Sequence, residues 1–377
     1  MTEGPQSQSA APQATGMNDS TKRASAIVFT LLVLGAVGMM VMLAVNQVAE
    51  GNLSVRDGPD GNLTLRRLLV HDVAHAGQYL KPKDPADWNA AHRDFSRLPV
   101  TYWHPQGPVG KVLQRYNWFP GMENTWRADA RPPASLIGQG LSHGPLPAGQ
   151  LVATWSEPPL AAMPLKAGAL AAYARPFQIV DFYEPNPGIH ELSFPKMGEA
   201  KFTFVRDALE RGAGIRVFQG KERELLAKQA PQRFYHAIFV DTVRGDLADL
   251  AEDLLTREGM ADLMRTVTDR GVLAYHVSNT RYDVVPVIAD VARSLQLACV
   301  LAEDRGGVGK GHYMSEWVVV AHHVEYLRHI NQSARHIRWA MPKLERAGRY
   351  DWTDAGEHDR TGLERDEKAV VTTRPAP

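Results

Sequence analysis

Ile215-Arg216-Val217-Phe218-Gln219, then Glu222-Arg223-Glu224-Leu225-Leu226-Ala227-Lys228, then His236-Ala237-Ile238-Phe239-Val240 follow one another along residues 215–240. The first and third runs are rich in β-branched or aromatic side chains. The middle run is built of straight-chain helix formers. Strand, helix and strand joined by short connections make the unit of a parallel sheet covered on both faces. The same alternation extends outward. Strands are predicted at Leu151–Trp155, Ile179–Tyr183, Gly271–Val277, Ala298–Ala302 and Trp317–His322. Helices are predicted at Gly168–Ala174, Phe204–Arg211, Leu247–Arg257, Gly259–Thr268 and Val284–Leu295. The fold class is therefore α/β, a Rossmann-like sheet over residues 151–330.

In such sheets ligands bind beyond the carboxyl ends of the strands. Glu184 follows the run Ile179–Tyr183. An ionised carboxylate there can accept two hydrogen bonds from a ribose diol, or it can be a solvated loop acid. Asp241 directly follows His236–Val240, with Asp246 five residues on. Two carboxylates at one strand end suit a cationic amine and the removal of its proton. Asp246 suits equally an N-cap for the helix predicted after it. His276 lies inside an apolar strand and reads as structural. The other histidines weighed, His71, His75, His104, His322 and His323, show no metal-ligand spacing. The junction Ala161–Ala169 has one glycine, Gly168, where close backbone approach to a nucleotide calls for several.

Ahead of the sheet, residues 1–23 form a polar, Pro- and Gly-rich tail. Ala24–Val45 carries no charge. At 1.5 Å per residue it spans a hydrocarbon core of about 30 Å, which predicts a single-pass membrane anchor rather than a cleaved signal peptide. Lys22 and Arg23 precede it, and the next basic residue is Arg56, a bias that places the domain outside. Residues 52–116 read as a small β domain with a linker helix at Val109–Tyr116, opened by a hairpin over Asn52–Leu69 with turn chemistry at Asp57–Gly61. An extended piece follows at Val100–Trp103. Residues 117–150 form a Pro- and Gly-rich loop, and residues 331–377 a charged tail. The formal net charge is zero and gives no reason to expect nucleic acid. The single cysteine, Cys299, excludes an internal disulfide and a cysteine-based metal site, and reads as core.

Several stretches together resemble the spermidine synthase-like family, in particular its bacterial membrane-associated members. They are Arg67–Gln78, Leu98–Gly110, Gly168–Pro176, Phe182–Pro187, Ile238–Asp246, Leu254–Thr256, Gly271–Asn279, Ser315–Val319 and Trp352–Asp354. The resemblance implies a small N-terminal β domain before a methyltransferase-type Rossmann domain. It implies aminopropyl transfer from decarboxylated S-adenosylmethionine to a small amine, without a metal. Gly168 and Glu184 would then hold the cofactor (decarboxylated or ordinary S-adenosylmethionine). Asp241 would bind or deprotonate the amine, with Gln78 and Asp246 on the substrate side, and the chain would self-associate.

The departures cluster at the cofactor. The family's G-x-G-x-G loop reads Pro164-Leu165-Lys166-Ala167-Gly168. Its Gly-Asp-Ala-Arg reads Gly220-Lys221-Glu222-Arg223, and Arg244 stands near the expected amine site. A Lys166 ammonium 4 Å from a sulfonium repels it by about 4 kcal/mol at an effective dielectric of about 20. Two expectations follow: an S-adenosyl-type transferase, or a catalytically degenerate, membrane-tethered binding or scaffold domain.

Overall fold

The computed structural model describes residues 53–80 except 62, 95–117, and 157–365 except 196–198, 245–248, 280, 329, 331–333 and 344–347. The predicted N-terminal tail, membrane helix Ala24–Val45, loop 118–150, strand Leu151–Trp155, residue Asp246 and the end of the C-terminal tail lie outside the described residues. No helix among the described residues is long and apolar enough to cross a membrane. All described residues belong to one compact unit, Asn52–Pro377.

Among the described residues the central sheet has eight strands. β4 (Leu160–Met163), β5 (Ile179–Glu184), β6 (Gly214–Gln219), β7 (Tyr235–Asp241) and β8 (Val267–His276) run parallel in the order β6-β5-β4-β7-β8. β10 (Ser315–Ala321) lies antiparallel between β8 and β9 (Ala298–Asp304), and β11 (Ile337–Ala340) closes the edge beside β9. The chain starts in the middle, builds outward to β6, then crosses back to β7. That is the doubly wound order, with an antiparallel strand inserted before β9. It places the switch point between β4 and β7, at the carboxyl ends of Met163 and Asp241.

Alternation along the strands divides the core. Phe239, Phe182, Val319 and Trp317 pack on one face with α1 (Pro108–Asn117), a 3-10 turn (Ala169–Tyr173), α3 (Phe204–Glu210) and α8 (Val324–Arg328). Ile238, Val240, Leu273 and Tyr275 pack on the other with α4 (Glu222–Gln229), α5 (Glu252–Leu255), α6 (Arg257–Thr266) and α7 (Val285–Ser294). Thr256 starts α6 by accepting a hydrogen bond from Gly259 N at 3.0 Å, an ordinary N-cap.

A three-stranded meander stands before this sheet: β1 (Leu53–Asp60), β2 (Leu63–Val70) and β3 (Val73–Tyr79). Asp60 pairs with Leu63, so the hairpin reverses one step beyond the expected turn and keeps Gly58 and Pro59 inside β1. Leu68 and Ala76 pack on Ala167 and Phe202, bringing β3 over the loop that follows β4.

Five elements depart from the reading of the sequence. The helix expected over Leu247–Arg257 shrinks to α5 (Glu252–Leu255), with Leu250 bridged to Val243. The central strand β4 occupies Leu160–Met163, where a strand–helix junction is expected. Its all-buried alanines leave no alternation to read. Val100–Trp103 makes only an isolated bridge, Thr101 to His312. Pro187–Ser193 forms a short helix, α2, capped by the Asn186 side chain on Gly188 N. The segment expected as a charged tail carries β11, and buries Trp352 and Leu363 against α6 and α7.

Candidate functional site

The loop after β4 turns sharply, with Lys166 at φ 52° and Gly168 at φ 74°. A Cβ on Gly168 would meet Val205 Cγ2 at 2.7 Å, so this glycine is required by packing against α3. The turn sends the Lys166 side chain inward, where it is fully buried. Its Nζ lies 2.9 Å from His75 Nδ1, donates to Val243 O at 3.0 Å and pairs with Asp241 Oδ2 at 3.6 Å. An ammonium has three N–H donors. Three partners surround this one.

Asp241 is equally engaged. Tyr102 Oη lies 2.8 Å from Oδ2 and also contacts the carbonyl of His75, two acceptors that share its single proton. Val243 N donates to Oδ1 at 3.2 Å, and His276 Nδ1 lies 3.3 Å from the same oxygen. Burial alone would raise the Asp241 carboxyl. The Lys166 charge, followed by His276, outweighs burial and holds it well below the usual carboxylate range. The His276 ring stacks on Tyr102 with centroids 3.8 Å apart and leans on Trp317. Its Nε2 is buried without a hydrogen-bond partner among the described residues.

Glu184 ends β5 beside this cluster. Leu165 N donates to Oε2 at 3.0 Å and Asn186 N to Oε1 at 2.7 Å, so backbone takes both oxygens. Burial pushes its carboxyl up to about 7, against the Asn186 N–H and Lys166, which favour the charge. Gln78 donates to Ser96 O at 2.7 Å and Thr203 Oγ1 at 2.8 Å, and accepts from Thr203 N at 2.9 Å. It fastens β3 to the start of α3.

Lys221 points outward, its side chain 79% exposed and paired with Glu224. Arg244 is neutralised by Glu222 at 3.0 Å and Asp253 at 2.7 Å, so its charge is spent away from Asp241. The structure thus brings Glu184, Asp241, His276 and Lys166 to the carboxyl ends of β4, β5, β7 and β8. Gln78 and Gly168 serve as packing ties. His75 and Tyr102 are the members the sequence reading did not assign. Both come from outside the β–α alternation, and only their place in the segments Arg67–Gln78 and Leu98–Gly110 marked them.

No family model matches the chain, and no curated protein matches it. Among solved structures it is similar to a probable spermidine synthase from Corynebacterium glutamicum, at 9% identity and a TM-score of 0.40, over 77% of this chain and 88% of the other. It is also similar to the spermidine synthase of Thermotoga maritima, at 10% identity and a TM-score of 0.35, over 77% and 80%. A predicted O-methyltransferase from Agrobacterium tumefaciens aligns at 15% identity and a TM-score of 0.30, over 45% and 78%. Likenesses this distant say nothing about chemistry. The strand order carries the fold, a Rossmann-like sheet of the methyltransferase type.

Proposed function

We propose that the chain is a degenerate relative of the aminopropyltransferases, a non-catalytic binding or scaffold domain tethered to a membrane by Ala24–Val45. One observation carries the reading: the Lys166 ammonium, held by Asp241, His75 and Val243, stands where the resemblance places the substrate amine. An attacking amine needs a carboxylate to orient it and accept its proton. Asp241 is already paired with Lys166, and that charge lowers its affinity for a proton. Glu184 is buried and already accepts one backbone N–H on each oxygen, which leaves a ribose diol one lone pair per oxygen. The positive-inside bias of Lys22 and Arg23 supports a domain outside the cytoplasm, away from where an adenosyl cofactor is made.

Calorimetry tests this directly. S-adenosylmethionine and its decarboxylated form are expected to give no saturable heat at millimolar concentration, with or without putrescine. Saturation at micromolar ligand overturns the reading and restores the transferase. Lys166→Ala supplies a positive arm. It removes the internal ammonium and leaves Asp241 unpaired, so millimolar methylammonium should raise the melting temperature of the variant and not of the wild type. An equal rise in both would mean that the amine position is open in the wild type.

A further inference from the structure

Away from the Lys166 cluster, three side chains from separate segments converge at the carboxyl end of β9. Asp304 ends that strand, His312 lies in the loop to β10, and His336 immediately precedes β11. A carboxylate oxygen and one ring nitrogen from each histidine lie within 4.8 Å of one another. The Asp304 and His312 side chains are fully buried, with Nε2 2.7 Å from Oδ2. We propose that Asp304, His312 and His336 bind a divalent transition-metal cation, with Zn²⁺ the best match to the donor set.

Two imidazoles and a carboxylate are a common zinc and iron ligand set, with bonds of about 2.0–2.2 Å for zinc. The surroundings hold His336 and Asp304 as such sites require, whereas His312 Nδ1 accepts a long 3.4 Å hydrogen bond from Val308 N that a cation at Nε2 would displace. His336 Nε2 donates to Gln106 O at 2.9 Å, which leaves Nδ1 as the atom it offers. Ligand histidines commonly give their other N–H to a carbonyl in this way. Asp304 Oδ1 accepts from Gly306 N at 2.9 Å and leaves Oδ2 towards His312. A Cβ at Gly107 would stand 3.0 Å from Asp304 Oδ2 and 3.5 Å from His312 Nε2, so the wall there is bare where the donors meet. His336 is half-buried and gives the cation its way in and room to draw the ring closer.

His104 stacks on His312 at 4.6 Å, but its Nδ1 accepts from Gln106 N at 3.1 Å, so it acts as a wall. Lys111 also faces Asp304 and is the rival for the same carboxylate. A buried Asp–His hydrogen bond backed by a lysine needs no third imidazole. The arrival of His336 is what distinguishes a cation site. Three protein donors leave a fourth position for water or a ligand. The loop that carries His312 is tied to Thr101 by a 2.7 Å bond from Thr101 N to Gly311 O, one residue from Tyr102. A bound cation would therefore brace the segment that reaches Asp241.

The test is a Co²⁺ titration of the chelator-stripped full chain in detergent, followed by the visible absorption of the cation and competed with Zn²⁺. One equivalent should give a saturating band that Zn²⁺ removes. His336→Gln should weaken binding more than about 100-fold, beyond the usual cost of losing a supporting contact. His323→Gln, at an exposed histidine remote from the cluster, should change nothing. If His336→Gln fails to fold by circular dichroism, the comparison is read on Asp304→Asn. A featureless titration, or a band unchanged in both His336→Gln and Asp304→Asn, overturns the proposal. So does a band lost in His323→Gln.

Discussion

Lys166→Met keeps the length of the side chain and removes its charge, leaving Asp241 buried beside Tyr102 and His276. Removing one partner of a buried pair costs about 3–5 kcal/mol, because the other charge is left unpaired. Chemical denaturation should show that loss, and a smaller one when Asp241→Asn is added, since the two residues share one interaction. Glu184 yields a pH signature of its own. Its carboxyl rises from 4.5 in the unfolded chain to about 7 in the fold. Between those values the folded chain keeps a proton that the unfolded chain has released. The stabilising contribution is therefore whole below about pH 4.5 and is lost as pH rises through 7. It amounts to at most about 3 kcal/mol. Glu184→Gln should flatten the decline of the urea midpoint between pH 4.5 and 7.5, at some cost in baseline stability from one lost backbone bond. Asp241 acts with the opposite sign. Its contribution is whole above its unfolded value of 3.8 and is lost as pH falls below it. Glu184 and Asp241 were legible in the sequence because each ends an apolar run. The destination of Lys166 was not. Its partners are His75 and the carbonyl of Val243, both remote in the chain, and only the turn after β4 decides that the ammonium faces inward.

At the level of elements, the turn after β4 is a packing joint. Gly168→Ala places a methyl group 2.7 Å from Val205 and strains a positive φ, and should cost about 1–3 kcal/mol. The same change in a Val205→Ala background should cost less, as the steric part disappears and the backbone part stays. Thermal melts of the four proteins make the measurement. The strands that alternate with helices were readable because each carries a run of β-branched or aromatic side chains. β4 was not, because Ala161 and Ala162 lie flat between two neighbours and carry no β signal. β11 was missed, and the segment around Trp352 was marked only by the resemblance, for a different reason. Their apolar residues are spaced among charges, and Arg223 and Thr256 fasten Asp354 at 2.7 Å each, contacts that no local pattern announces.

For the whole molecule, the compact unit Asn52–Pro377 holds the meander and the eight-stranded sheet together. A chain lacking residues 1–51 should keep its melting temperature to within a few degrees. The intact chain should sediment with membranes and the shortened one stay in solution, since a span of some 20 apolar residues is what separates them. The cluster of Lys166, Asp241 and His75 also bears on pharmacology. A polyamine-like inhibitor offers a free ammonium to an acidic pocket. Here that ammonium would compete with one attached to the protein, and a tethered competitor acts at an effective concentration no free drug can match. On the degenerate reading proposed above, compounds designed against active aminopropyltransferases should pass this chain by, and a cell that makes it in quantity would not soak up the dose.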